Sequence, residues 1–498
     1  MAKKPVPPGP HGVLTRLDAD NESRLLRSAK TGAALRLAPG LYAVGATLPP
    51  EQVARHHMHT IAAHYWPGGV LCGRTAMAGG IPDDGILFVA HPEPGRKNEV
   101  RLPGLVLWPI TAPGPVPGDM ELPQGLHLSG PARVLVENID VRGRPALHRA
   151  GTVAVEDRID ALARSGGTGR IQGVLEQLDV IAGSFPPNAV AAVRKRLVAV
   201  LGTVTGGFTA MSGHLAARLD GAPFDGFRLQ MVEALVDLLE RRPPRPLAAL
   251  PPVSRWEWLA FFEAYFSNFI EGTEFGVDDA RRIAVDGVFP AARPADAHDV
   301  SATYRLAVSP TDRVRVPANG DDLIDILQAR HSMLMAVRQD KHPGEFKEVN
   351  NYAGGYQFVE PALVAGTLKQ GFAALDRLHS PLARATAMMF LVTECHPFDD
   401  GNGRVARLTA NAELSAAGEV RVLVPIVMRN DYIASLSGIS RGTGPGQPLI
   451  AVLEHLQRWS AAVDWSTYEG AGKTLTECNA YLDAGTAASR GQRLLFPS

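Results

Sequence analysis

His396, Asp400, Arg404 and Arg407 fall within one run, His396-Pro397-Phe398-Asp399-Asp400-Gly401-Asn402-Gly403-Arg404-Val405-Ala406-Arg407. An imidazole, with an ordinary pKa of about 6.5, can take a proton from a hydroxyl near neutral pH. A lone carboxylate such as Asp400 suits Mg2+, which uses few carboxylates and several phosphate oxygens. Arginines three residues apart share a helix face, and their forked guanidinium groups match phosphate oxygens. Gly401-Asn402-Gly403 permits unusual backbone angles and close approach, so main-chain N–H groups can face an anion. These are the parts of a site that holds a nucleotide polyphosphate and activates a nucleophile.

Such parts need elements to hold them. Leu382, Ala385, Met388, Met389 and Val392 recur at helical spacing, which predicts a helix from Pro381 to Cys395. Pro397 disfavours helical geometry at His396, so that helix should end there and leave His396 at the mouth of a loop. A second helix is expected to start near Gly403 and to carry Val405, Leu408 and Leu414. Its N-terminus then presents unpaired N–H groups and a favourable dipole to a phosphate.

Two upstream segments complete the constellation. Gly354-Gly355 can turn a hairpin between Phe346-Lys347-Glu348-Val349 and the run ending at Pro361. Ser254-Arg255-Trp256-Glu257 reads as a capping box that opens a helix with the apolar stripe Trp258, Phe262, Tyr265, Phe266, Phe269 and Ile270. Ser267 and Glu271 lie one turn apart near its end, and Gly272 can cap it.

The bulk properties bound the rest. At 498 residues the chain exceeds one ordinary core, so several domains are expected. A net charge of -1 offers no global field for nucleic acid or an anionic membrane. Cys72, Cys395 and Cys478 are odd in number and match no zinc spacing, which fits a reduced, cytoplasmic setting. The N-terminus has no apolar stretch behind its lysines, and no run of about 18 apolar residues occurs. Neither a secretory signal nor a membrane span is expected.

Composition divides the chain into a Pro-rich arm (1–12), a mixed α/β region (13–140), a helical region with a Pro-rich linker (141–245), a mainly helical region (254–465) and a tail of weak signals (466–498). In the second, one helix precedes a strand-like segment from Leu35 to Val44, a helix spans about Pro50–Tyr65, and strands are expected at 85–89, 100–102, 105–110, 126–128 and 134–138. Residues 208–245 read as helical.

The run from His396 to Arg407 resembles the signature of the Fic/Doc family, whose members usually transfer AMP from ATP to a protein hydroxyl. The resemblance covers roughly 255–465. It implies that His396 is the general base and that Asp400 ligates Mg2+. Asn402 with Gly401 and Gly403 would hold the α- and β-phosphates, Arg404 would bind the β-phosphate region, and Arg407 the γ-phosphate. Phe398 would anchor the loop, and Tyr432 in Arg429-Asn430-Asp431-Tyr432 would help wall the nucleoside. Phe346, Lys347, Glu348 and Val349 would belong to a flap that docks the target by strand pairing, although Lys347 stands where the family often has arginine. Ser267-x-x-x-Glu271-Gly272 is similar to the family's inhibitory motif in its N-terminal placement (helix 254–272), with Glu271 pairing to Arg407.

Residues 30–140 also resemble the N-terminal part of AbiEi-type antitoxins and regulators, through Leu35–Tyr42, Leu71–Met77 and Gly130–Leu135. That resemblance implies a degenerate winged helix and binding to DNA or a partner. The expected whole is therefore a multidomain α+β protein: a mainly α-helical Fic domain with a β-hairpin flap, preceded by a mixed α/β AbiEi-like region. Its expected function is an autoinhibited, Mg2+- and ATP-dependent adenylyltransferase acting on a Ser, Thr or Tyr hydroxyl of a protein target, itself included. The alternatives are a de-AMPylase, transfer from another nucleotide donor, and a nucleotide-sensing, toxin–antitoxin-like DNA-binding regulator. Family members often dimerise, so a homodimer is compatible.

Overall fold

A computed structural model describes the chain except residues 1–8, 81–83, 96–98, 141–145, 203–207, 244–255, 443, 445 and 498. The capping box at Ser254, most of the proposed linker and most of the N-terminal arm lie outside the described residues. The chain divides into two compact units, Met1–Asp220 and Gly221–Ser498.

The first unit carries two sheets. In the smaller, Leu41–Val44 lies between Val13–Arg16 and Ala34–Ala38, all antiparallel. The single strand expected from Leu35 to Val44 is thus two strands. Pro39-Gly40 turns the chain, with Gly40 at a φ of +76° that a side chain would resist. The larger sheet has six strands in the order Val100–Leu102, Leu105–Thr111, Ile86–His91, Val70–Leu71, His127–Leu128, Met120–Glu121. Helix Pro50–Tyr65 buries Val53, Ala54 and Ile61 in the core beneath it.

Residues expected as a strand at 134–138 are helical instead, within Pro131–Asn138. Gly130 caps this helix and Pro131 occupies its first turn, where a missing N–H costs nothing and φ is already helical. Those start signals outweigh the strand-like apolar run Val134-Leu135-Val136, of which Leu135 and Val136 are buried in the core shared with helix Thr152–Ile181. Helix Glu22–Lys30 is the sole helix among described residues before Leu35. The stretch 208–245 is two helices, Gly213–Leu219 and Gly226–Glu240, and the second groups with the other unit.

The second unit has one core that runs from Val232 to Leu494. At its centre helix Pro381–Cys395 (the histidine helix) packs on helix Asn402–Ala416 (the arginine helix). Helix Trp256–Phe269 (the glutamate helix) is buried on more sides than its predicted stripe, because Leu259, Ala260, Phe261 and Ala264 are enclosed as well. Ala471, Leu475 and Ala487, from the weakly signalled tail, belong to the same core. The hairpin is shorter than expected: Tyr352–Ala353 pairs with Tyr356–Gln357 across Gly354 and Gly355, both at positive φ. Phe346 to Val349 lie outside its strands.

Candidate functional site

The histidine helix ends as the proline demanded. His396 takes the left-handed conformation (φ 47°, ψ 59°) and its N–H closes the last turn on Val392. A β-carbon tolerates that region poorly, so the loop must hold it in place. Nδ1 of His396 lies 3.2 Å from the Thr393 carbonyl, which can only accept. The proton therefore sits on Nδ1, and Nε2 keeps its lone pair. Burial, helped by the nearby Lys347 charge and opposed by Glu271 and Asp400, lowers the His396 pKa to about 4. The imidazole is neutral and able to accept a proton at physiological pH.

Asn402 closes the loop that follows. Its Oδ1 accepts from the Phe398 N–H at 2.9 Å and its Nδ2 donates to the Phe398 carbonyl at 2.7 Å. What Asn402 has left for a phosphate is its own main-chain N–H, at the start of the arginine helix beside those of Gly403 and Arg404. Gly401 caps that helix at φ 74°. Asp400 is half exposed, and its Oδ1 accepts from Gly401 at 2.6 Å. No three His, Cys, Asp or Glu side chains cluster into a metal cage among the described residues. A single open carboxylate still fits Mg2+, which draws most of its ligands from phosphate and water.

The two arginines are held differently. Arg404 is buried, with Nη1 2.9 Å from the equally buried Asp299 and 3.4 Å from Oδ1 of Asn268. Asp299 also pairs with Arg338, which reaches Asp296. Arg407 donates from Nε to Ser267 Oγ at 2.9 Å, and from Nη2 to the Ser267 carbonyl at 2.9 Å and to Glu271 Oε1 at 2.7 Å. Burial alone would raise the Glu271 pKa, but the charge and hydrogen bond of Arg407, with Arg404 and His396 beyond, carry it below the usual carboxylate value. Gly272 sits at φ 93°, just past the end of the glutamate helix.

Gly403 explains how close this approach is. A β-carbon there would lie 2.1 Å from Glu271 Oε1 and 3.1 Å from Arg407 Nη1. The Glu271 carboxylate thus lies against the first turn of the arginine helix, where an anion is favoured.

Two expected residues are placed otherwise than anticipated. Tyr432 is a core residue beneath Arg407, 2% exposed, with its hydroxyl 3.2 Å from Met389 Sδ. It offers no free wall to a nucleoside. Lys347 is buried: its N–H donates to the Pro397 carbonyl, and its Nζ donates to Asn351 Oδ1 at 2.6 Å. Burial lowers its pKa to about 8. It braces the loop instead of facing a target, and Phe346 packs on Phe398. Glu348 and Val349 are exposed.

Other residues at the site carried no recognisable signal. His331 stacks on Phe398 at 3.8 Å, accepts the Gly344 N–H at Nδ1 and donates from Nε2 to the Asp400 carbonyl. Asn351 donates to the carbonyls of His396 and Phe398. Asp299 and Phe358 also meet the site only through tertiary packing, with nothing in their local sequence to mark them.

Residues 322–414 match the Fic/DOC family. The "Protein adenylyltransferase Fic" of Drosophila yakuba is 29% identical over 194 residues, covering 36% of this chain and 38% of that protein. The "Protein adenylyltransferase fic-1" of Caenorhabditis elegans is 26% identical over 184 residues, 35% of this chain and 36% of that protein. The chain therefore spans well under half the length of these relatives. Among solved structures, C. elegans Fic-1 (residues 134–508) is similar at 18% identity with a TM-score of 0.35, over 65% of this chain and 89% of that one. A Fic-domain signalling protein of Bacteroides thetaiotaomicron is similar at 17% identity with a TM-score of 0.38, over 49% and 97%. With His396, the glycine-flanked turn and both arginines inside the matched segment, this chain carries a domain of the Fic/DOC family.

Proposed function

We propose that this protein is a protein adenylyltransferase held inactive by its own Glu271. It moves AMP from Mg2+–ATP to a Ser, Thr or Tyr hydroxyl of a protein acceptor. The acceptor oxygen attacks the α-phosphorus, its proton passes to Nε2 of His396, and the bond to pyrophosphate breaks. The observation that carries this reading is the neutral, tautomer-fixed His396 set beside the N-terminus of the arginine helix. Main-chain N–H groups of residues 402–404 would receive phosphate oxygens, Asp400 would hold Mg2+ against them, and Arg407 would take the γ-phosphate. Mg2+ supplies charge neutralisation to the polyphosphate. The names of the curated relatives support AMP as the group transferred.

Glu271 opposes this in two ways. Its carboxylate fills the anion position over Gly403, and it neutralises the arginine meant for the nucleotide. Its partial exposure (38%) over that same position also favours a second reading, in which it orients water against an AMP-modified acceptor and reverses the transfer.

The test is labelling with ATP carrying a labelled α-phosphate, in lysate and on the protein itself. Label with Glu271→Gly, little with wild type and none with His396→Ala is the expected result. Equal, His396-independent labelling of all three overturns the reading.

A further inference from the structure

The hairpin and the catalytic loop are fastened together at several points. On the leading side, Asn351 donates to the carbonyls of His396 and Phe398, and the Lys347 N–H donates to Pro397. On the returning side, the Tyr356 hydroxyl bonds the buried Glu394, two residues before His396. Arg228 pairs with Glu394 at 2.8 Å and donates to the Gln357 carbonyl. Phe358 follows directly, and its ring lies face to face with His396: centroids 3.9 Å apart, planes 8° from parallel.

These contacts leave His396 few degrees of freedom. One ring nitrogen is tied to Thr393, but a single hydrogen bond still lets the imidazole rock about it. A parallel aromatic face at contact distance removes that motion. It also belongs to the arm whose partner strand carries Tyr352, 60% exposed, where an extended segment could pair.

We infer that Phe358 is a positioning residue that sets the ring plane of His396, so that the hairpin expected to seat an acceptor also aims the base at it. This rests on the reading of His396 as base. Phe358 has no group that could take a proton or hold the nucleotide. It acts by keeping Nε2 on the line of the incoming hydroxyl, and misalignment of that kind costs rate and leaves nucleotide affinity alone.

The experiment compares Phe358→Leu and Phe358→Tyr in the Glu271→Gly background, since leucine keeps apolar volume but not a flat face and tyrosine keeps both. Leucine should lower kcat by roughly ten- to a hundredfold while KM for Mg2+–ATP stays within about twofold, and tyrosine should restore most of the rate. In parallel, NMR should detect a protected Nδ1–H on His396 in the parent and the tyrosine variant, and lose it to exchange in the leucine variant. Unchanged kcat with leucine, loss of rate with both variants, or a protected Nδ1–H in the leucine variant overturns the inference. If the Glu271→Gly parent transfers no label, the adenylyltransferase reading fails by itself, and the Nδ1–H signal alone then decides the role of Phe358.

Discussion

Glu271 Oε1 lies 2.7 Å from Nη2 of Arg407, in the space that any side chain on Gly403 would require. An acidic group, a basic group and an absent side chain are therefore one device. The glycine admits the carboxylate, the helix N-terminus attracts it and the arginine holds it. Ser267 completes the hold by taking two of the arginine's remaining hydrogen bonds.

Releasing that hold should raise activity. Glu271→Gly is expected to increase AMP labelling by about tenfold or more, within the usual range of couplings between sites. Ser267→Ala should give a smaller increase, because Arg407 keeps Glu271 but loses its Nε partner. Labelling with α-phosphate-labelled ATP reads both, and a Ser267→Ala rate above that of Glu271→Gly would contradict the arrangement.

Substituting His396 should cut transfer without cutting binding. His396→Ala in the Glu271→Gly background is expected to lose roughly a hundredfold or more of the rate, the usual worth of a positioned general base. Calorimetry should find Mg2+–ATP affinity within about twofold of the parent, since the N–H groups of 402–404 and Arg407 are untouched.

The pH profile should also differ from that of a free histidine. His396 is held near a pKa of about 4 by burial, so it is already neutral at pH 6. Initial rates of Glu271→Gly should stay flat from about pH 6 to 8, without a rise through about 6.5. A rise centred near that value would show an exposed, protonated base.

Acid should destabilise the second unit through His331, which is fully buried and whose pKa burial lowers to about 4. Its folded value lies below the unfolded one of about 6.5, so the unfolded chain binds more protons between the two. Stability from this group is complete above about pH 6.5 and is lost as pH falls toward 4, by on the order of 3 kcal/mol. Denaturant titrations between about pH 7 and 4.5 should show a shallower acid loss in His331→Gln than in the parent.

Asp299 should matter for stability well beyond its single charge. It is 1% exposed and pairs with both Arg404 and Arg338. Asp299→Ala leaves the buried Arg404 guanidinium only its longer 3.7 Å pair with Asp400, and breaking a buried pair typically costs about 3–5 kcal/mol. A melting temperature unchanged from the parent would show that Arg404 finds another partner.

The histidine helix was legible to its ends because three local signals agree: apolar spacing, a proline at the start and a proline after the last turn. The arginine helix and its glycine cap were legible for the same reason, as was the turn at Gly354-Gly355. Where local signals conflict, tertiary burial decides. Residues 134–136 have strand composition and fold as helix, because a proline-started turn lets them pack on Thr152–Ile181. The residues of the site divide along the same line. Chemistry carried in one run, from His396 to Arg407 with Ser267 and Glu271 at helical spacing, was written in the chain itself. Which side chains remain free for chemistry was decided by three-dimensional packing. Asn402 closes its own loop, Tyr432 and Lys347 are buried, and Phe358, Asn351, His331 and Asp299 come from distant segments to set the geometry. A hydrogen bond or a ring stack between residues tens of positions apart has no local period, so it exists only once the core has closed.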